Sequence, residues 1–512
     1  MVELTGTGLT EADVVAVARE HAKVELACGA REAMEASAAV VERLAADPEP
    51  VYGVSTGFGS LANVAIPVER RAELQRALVR SHAAGMGPPV EDEVVRAMIL
   101  LRARSLAMGC SGARPLLAET MLALLNADVT PVVPEHGSLG ASGDLAPLAH
   151  CALVLLGEGE AISPGSGGDR ISGAEALARA GVAEPLTLRA KEGLALINGT
   201  DGILGMLLLA IHDLRRLLRV ADITAAVSVE ALLGTDRAFA ADLIALRPQP
   251  GQADSAANLR RVLADSPIVA SHRVDDDRVQ DAYSLRCTPQ VNGAARDALA
   301  HAEAAAAAEL VSAIDNPMVL PDGRVESCGN FHGAPLGFAC DFLAIAVAEV
   351  GAIAERRTDR LLDAARSHGL PPFLTPEPGV NSGLMIAQYT QAAMVAENRR
   401  LASPASVGSL PTSAMQEDHV SMGWSAARKL RIAVRNLGRI LAVELACAAH
   451  GLDLRSPLEP GPGGAAALTA VRSRVAGPGP DRWLAPDLAA ADELVTAGSL
   501  QDAVEAAVGP MA

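Results

Sequence analysis

Residues 137–150 read GSLGASGDLAPLAH, and three of the smallest residues, Ala141, Ser142 and Gly143, stand together ahead of Asp144 and an apolar run. Two chemistries fit that pattern. In the plainer one the tripeptide is a turn before a helix: Asp144 accepts backbone N–H groups and Gly143 supplies an unusual dihedral. In the other, the backbone closes on itself. The amide nitrogen of Gly143 attacks the carbonyl carbon of Ala141, an approach least hindered at a residue with no Cβ. Loss of two waters, one of them the Ser142 hydroxyl, leaves a five-membered ring bearing an exocyclic methylidene. Such a group is a strong electrophile, and ordinary side chains, being nucleophiles, acids or bases, do not offer one. It turns an amino group or a neighbouring ring into a leaving group or an electron sink.

Other residues bear on the choice. The chain has only three tyrosines. One of them, Tyr52, lies in the Gly-rich stretch VYGVSTGFGSL, where it is either a half-buried aromatic with a satisfied hydroxyl or a working group. Tyr283 and Arg286, in DAYSLR, are three apart and share a face if that stretch is helical. Arg286 is a bidentate clamp for a carboxylate or one half of a structural ion pair. Asn198 in LINGT fits a turn former, and Glu417 in QEDH fits a solvated helix end. His332 in GNFHG reads as a hydrogen-bonded structural histidine. A phosphate cradle at STGFGS is set aside, because no lysine follows and the strand–loop–helix context is missing.

The elements that must position these residues are helical. The chain has 512 residues, half of them hydrophobic and 20% charged, so it is globular and long enough for a large core. With so few aromatics the core is Ala, Leu and Val, which suits close helix packing. A formal charge of −18 argues against nucleic acid or an anionic membrane surface as partner. Seven cysteines with no C-x-x-C pair point to free thiols in a reducing cytoplasm, with neither a disulfide framework nor a metal site. The start shows no signal-peptide pattern, and no uninterrupted apolar run is long enough for a membrane helix.

Thr10–Asp13 resembles a capping box. Helices are expected at 68–84, 90–108 and 113–126, and a hairpin tip at 163–170. Longer helices are expected at 203–233, 294–314, 338–353 and 425–450. The 338–353 run carries only Asp341 and Glu349 as charges, so it is expected to be buried on most sides. This gives a mainly α protein: a loop-rich domain at 1–202 with the Ala-Ser-Gly loop, a long-helix bundle at 203–455, and a C-terminal helical appendage at 456–512.

VYGVSTGFGSL (51–61), SHAAGMG (81–87), GSLGASGDLAPLAH (137–150) and KEGLALINGT (191–200) form an ordered series. VQDAYSLRCTPQVNG (279–293), DNP (315–317), GNFHG (329–333) and QEDHVSMGW (416–424) continue it. The series resembles the aromatic amino acid ammonia-lyases over most of the chain. SHAAG and QEDHVSM are most similar to the histidine-specific members. The resemblance implies a fumarase/aspartase-like helix bundle and a 4-methylidene-imidazol-5-one group made from Ala141, Ser142 and Gly143, with no external cofactor. It also implies a cytoplasmic homotetramer with sites shared between subunits. The implied reaction is deamination of L-histidine to trans-urocanate and ammonia.

The resemblance also implies roles. Tyr52 is the base that removes the β-proton, so the site must stabilise a phenolate. Tyr283 is the second tyrosine, near the reacting atoms, and Arg286 binds the substrate carboxylate. Gln280 and Asn198 are amides contacting substrate and prosthetic ring, and Phe331 is the phenyl beside that ring. His82 and Glu417 bear on the substrate ring. A buried carboxylate is costly against phenyl and useful against imidazole, whose N–H it accepts, so Glu417 selects histidine and can also shuttle a proton. The sequence departs from the family pattern at Ser55, Ala77, Cys110, Val311, Ala354, Gly408 and Met415, and Met415 adjoins Gln416 and Glu417. The rivals are a tyrosine or phenylalanine lyase or aminomutase using the same electrophile, and a silent helical scaffold in which the tripeptide is only a turn.

Overall fold

The computed structural model describes residues 1–46, 51, 53–164, 168–276 and 278–512. Among these residues twenty α-helices carry the chain, and no strand exceeds four residues, so the fold is mainly α. Thr10 caps the helix Glu11–Arg19, its hydroxyl accepting from Asp13 N while the Asp13 carboxylate accepts from Thr10 N. The expected helices at 90–108 and 113–126 are Asp92–Ala107 and Pro115–Asn126. The expected 68–84 helix opens with a 3₁₀ turn, Val68–Arg70, before Arg71–His82. The expected helix at 294–314 is Thr288–Leu310. Pro289 sits in its first turn, where no intrahelical N–H is required, so the helix starts earlier than its apolar pattern.

Two compact units can be separated. The first comprises Met1–Leu209, Glu303–Asp341 and Pro404–Arg428. Its strands are short: Val2–Leu4 runs parallel to Val24–Leu26, and Thr130–Pro131, Glu160–Ile162 and Ile171–Ser172 form an antiparallel sheet. The last two of these strands pair antiparallel on either side of the expected hairpin tip, whose residues 165–167 lie outside the described residues. Small residues let helices close up: a Cβ added at Gly205 would lie 3.1 Å from that of Ala97. The Asp92–Ala107 helix buries Arg96, Arg102 and Arg104 completely. Their guanidinium groups donate to backbone carbonyls, which is how charge survives in such a place.

The second unit comprises Ala210–Ala302, Phe342–Ser403 and Lys429–Ala512. At its centre Arg357 and Glu444, both fully buried, form an ion pair. The Glu444 carboxylate also accepts from the hydroxyls of Thr224 and Ser228 at 2.9 and 2.8 Å. A second buried carboxylate, Asp222, collects Ser255, Asn258, Asn292 and Arg296.

The expected 338–353 helix extends over Ala334–Leu362. Asp341 is buried on it and accepts from Ser406 N at 2.7 Å. The helix is long and apolar enough to cross a membrane, and 61% of its most apolar window is buried within the chain. It is not buried all round: Phe338, Phe342 and Ile345, at helical spacing, are exposed.

Candidate active site

Ala141 and Ser142 are half-buried and Gly143 and Asp144 are buried, immediately before the helix Leu145–Leu155. Gly143 has φ +73°, and a Cβ added there would lie 2.1 Å from the carbonyl oxygen of Gly199. Only glycine fits, both for dihedral and for space. The two segments are locked together: Gly143 bridges to Gly199, and Asp144 N donates to Gly199 O at 2.6 Å.

Asp144 does not cap the helix it precedes, and here the structure corrects the plainer reading of the tripeptide. Its Oδ2 accepts from Gly202 N and Ile203 N, both at 2.9 Å, in the first turn of Asp201–Ala231. Ser138 Oγ lies 3.0 Å from its Oδ1. The turn is thus tied to the start of another long helix rather than to its own. Complete burial pushes the Asp144 carboxyl up to about 7, against the bonds from Ile203, Ser138 and Gly202 that favour its charge.

Ser142 Oγ donates to Asn198 Oδ1 at 2.5 Å. Asn198 follows the short helix Glu192–Ile197 and is buried. Its Nδ2 donates to Asp315 Oδ1 at 3.1 Å and to the Asn316 carbonyl at 2.9 Å. Its own carbonyl accepts from Arg102 at 2.6 Å. Lys191, fully buried, donates to Asp315 Oδ2 at 2.6 Å and to Ser111 O at 3.0 Å.

His82 closes the helix Arg71–His82. Its Nδ1 lies 2.9 Å from the Leu78 carbonyl, which can only accept, so Nδ1 carries the proton and Nε2 is left to accept. Burial holds the ring below the usual histidine range, against the Leu78 bond and the charge of Glu417. His82 and Glu417 are therefore within electrostatic reach of each other. Glu417 is half-buried, and its Oε2 accepts from Thr412 Oγ1 at 2.7 Å. The Gly-rich loop is joined to this turn through Ser60 N, which donates to Ser413 Oγ at 3.2 Å.

Tyr52 lies outside the described residues. At its neighbour Gly53, φ +72°, an added Cβ would lie only 2.9 Å from the Leu194 side chain and 3.3 Å from that of Pro317. Ser55 is buried, and its hydroxyl accepts from Val51 N at 2.9 Å. That bond closes the turn between the two residues. Phe331 is half-buried just ahead of Ala334–Leu362. His332 stacks on His419, ring centroids 5.6 Å apart, and faces the His419 carbonyl, as expected of a structural histidine. Met415 is exposed, at the end of a turn in which Ser413, Ala414 and Met415 all have positive φ.

Gln280, Tyr283 and Arg286 belong to the second unit. Tyr283–Arg286 is a single helical turn, so the two do share a face: the guanidinium carbon lies 4.5 Å from the tyrosine ring centroid. Arg286 Nε donates to the Asp281 carbonyl at 2.9 Å. Asp281 is itself buried and accepts from Thr235 N and Arg278. Gln280 is exposed and Tyr283 is 71% exposed.

Four residues that support the site were not singled out from sequence as site residues: Arg102, Asp144, Lys191 and Asp315. The signal for them was a charge inside or beside an apolar run, as in ILLRARSLA and KEGLALIN, where burial demands a partner.

The pattern of the family described as aromatic amino acid lyase matches residues 9–473. The histidine ammonia-lyase of Streptomyces griseus is 62% identical over 509 residues, covering 99% of this chain and 98% of that one. The tyrosine aminomutase of Streptomyces globisporus superposes with a TM-score of 0.92 at 38% identity, over 100% and 99% of the two chains. Histidine ammonia-lyase from Trypanosoma cruzi gives 0.91 at 40%, over 99% and 95%. With a family match over nine-tenths of its length and relatives this similar across nearly the whole sequence, the chain belongs to the aromatic amino acid lyase family.

Proposed function

We propose that this enzyme is a carbon–nitrogen lyase that deaminates L-histidine to trans-urocanate and ammonia. The substrate choice is carried by the Glu417 carboxylate set in electrostatic reach of a proton-poor His82. An imidazole N–H has an acceptor there, and a phenyl ring would give the carboxylate no partner beyond the Thr412 hydroxyl. The relatives that match over the full length at 50–62% identity and are named histidine ammonia-lyases support the same choice.

The prosthetic group is proposed to be the methylidene-imidazolone made from Ala141, Ser142 and Gly143. Supporting it are the Gly143 position, where only glycine fits, and the tie to Gly199 that holds the turn closed. The hydrogen bond that orders the Ser142 hydroxyl adds to this support. When formed, the group supplies an electrophilic carbon that makes the substrate's amino nitrogen a leaving group.

The chain's own residues do the rest. Arg286 holds the substrate carboxylate and Gln280 adds an amide contact. Glu417 accepts the imidazole N–H, with His82 beside it. Tyr52 takes the β-proton, and Tyr283 stands near the reacting atoms. Phe331 and Asn198 border the ring position. Exposure of Tyr283 and Gln280 and the outward stripe of Phe338, Phe342 and Ile345 support a homotetramer that completes each site with residues of other subunits. A cytoplasmic location and the functional division at 202 and 455 belong to the same reading.

A second reading, tyrosine or phenylalanine lyase or aminomutase, draws on the likeness to tyrosine aminomutase. Incubation of the pure enzyme with L-histidine, L-tyrosine and L-phenylalanine in turn separates the two by ultraviolet spectrum. Urocanate from L-histidine is expected; coumarate or cinnamate with no urocanate would refute the substrate assignment.

A further inference from the structure

We propose that Asp315, held by Lys191, is a positioning residue that fixes which end of the Asn198 amide meets Ser142. The inference rests on the reading that Ala141, Ser142 and Gly143 close into a ring.

An asparagine amide has one accepting and one donating end, and its surroundings decide which way it points. On one side of Asn198 stand Asp315 Oδ1 and the Asn316 carbonyl, at 3.1 and 2.9 Å. Neither has a proton to give, so the NH2 end must face them. The oxygen is thereby aimed at Ser142, whose hydroxyl donates to it at 2.5 Å. Rotating the amide would set oxygen against two oxygens. Asp315 is itself immobilised: Asp315 and Lys191 are buried, and the Lys191 ammonium spans Asp315 Oδ2 and the Ser111 carbonyl. Lys191, Asp315, Asn198 and Ser142 form one chain of hydrogen bonds, all within the first unit.

The consequence concerns the second water. The Cβ–Oγ bond of Ser142 breaks with its electron pair going to oxygen. The Cα–H bond breaks with its pair forming Cα=Cβ. Oγ leaves as water, keeping its own hydrogen and taking one proton in place of that released from Cα. With Asn198 Oδ1 accepting the hydroxyl hydrogen, the lone pairs of Oγ face away and are open to that proton. An amide turned the other way would occupy a lone pair and oppose departure.

The test compares ring formation in wild type, D315N, K191M/D315N and K191M/D315L. The readout is the rate at which the peptide containing residues 141–143 loses the mass of two waters after cell-free synthesis, with circular dichroism as a folding control. In D315N the new NH2 must face either Lys191 or Asn198, donor against donor. Ring formation is expected to slow about tenfold or more. K191M/D315N removes the conflict and keeps an oxygen facing Asn198, so its rate is expected to recover to within about threefold of wild type. K191M/D315L is equally uncharged but offers no acceptor at position 315, leaving the Asn316 carbonyl alone to hold the amide, and is expected to stay slower than K191M/D315N.

D315N forming the ring at the wild-type rate would overturn the proposal. So would equal rates for the two double variants, a comparison that holds even if D315N itself does not fold. A wild-type chain that never loses the two waters removes the ring reading and this inference with it. A wild type that loses them beside an unaffected D315N removes this inference alone.

Discussion

Asp144 joins the tripeptide turn to the Asp201–Ala231 helix, and Asp144→Asn tests how that junction is held. The substituted amide keeps an oxygen for Gly202 N and Ile203 N and offers Ser138 a donor, so the geometry survives. What changes is the cost of charge. An unfolded aspartate titrates near 3.8, and burial pushes Asp144 up to about 7. Its folded pKa is raised, so the stability it contributes is fully present below pH 4. It is lost as pH rises to about 7, because the unfolded chain ionises the group freely and the folded one does not. The loss is about three pKa units at 1.36 kcal/mol each, or about 4 kcal/mol. Other buried acids, Glu230 among them, titrate in the same window, so the informative quantity is the difference between wild type and D144N. Urea unfolding of both at pH 4, 5, 6, 7 and 8 gives it. Wild type should be the more stable relative to D144N at pH 4 and lose about 4 kcal/mol of that difference by pH 8. A difference that does not change with pH would refute the claim that the carboxylate is penalised by burial, and one that grows with pH would reverse it.

Three further outcomes are expected. Glu417→Ala should lower kcat/KM for L-histidine by roughly tenfold to a hundredfold, the worth of about 1–3 kcal/mol, and move preference toward L-phenylalanine in a competition assay. Glu444→Ala strands the fully buried Arg357 guanidinium and should cost about 3–5 kcal/mol, read as a lower urea midpoint. Met415→Asn should gain about 0.5–1 kcal/mol by thermal or urea unfolding, because φ is +72° at that position and asparagine tolerates the left-handed region better than methionine.

The helices were legible because Ala, Leu and Val recur at helical spacing and Gly and Pro interrupt the runs. Boundaries moved where a local exception applied, as with Pro289 in the first turn of Thr288–Leu310. The capping box at Thr10 was visible for the same reason: its chemistry is local. The Ala-Ser-Gly turn could also be picked out, since few chemistries ask for that order of small residues. What could not be read was which partner each polar residue finds across the chain. Asp144 looks like the cap of the helix that follows it, and it caps one that starts more than fifty residues later. Asp315 and Lys191 are 124 positions apart and meet only after folding. The outward stripe on Ala334–Leu362 was hidden too, because composition does not say which side of an apolar helix is covered.

The proposed chemistry depends on residues 141–143 being joined to one another. The direct measurement is the mass of the peptide spanning 137–150 taken from the folded enzyme. The expected peptide is lighter by two waters in wild type, and Ser142→Ala abolishes loss of the second. A wild-type peptide of full mass, from enzyme that turns over L-histidine, would contradict it.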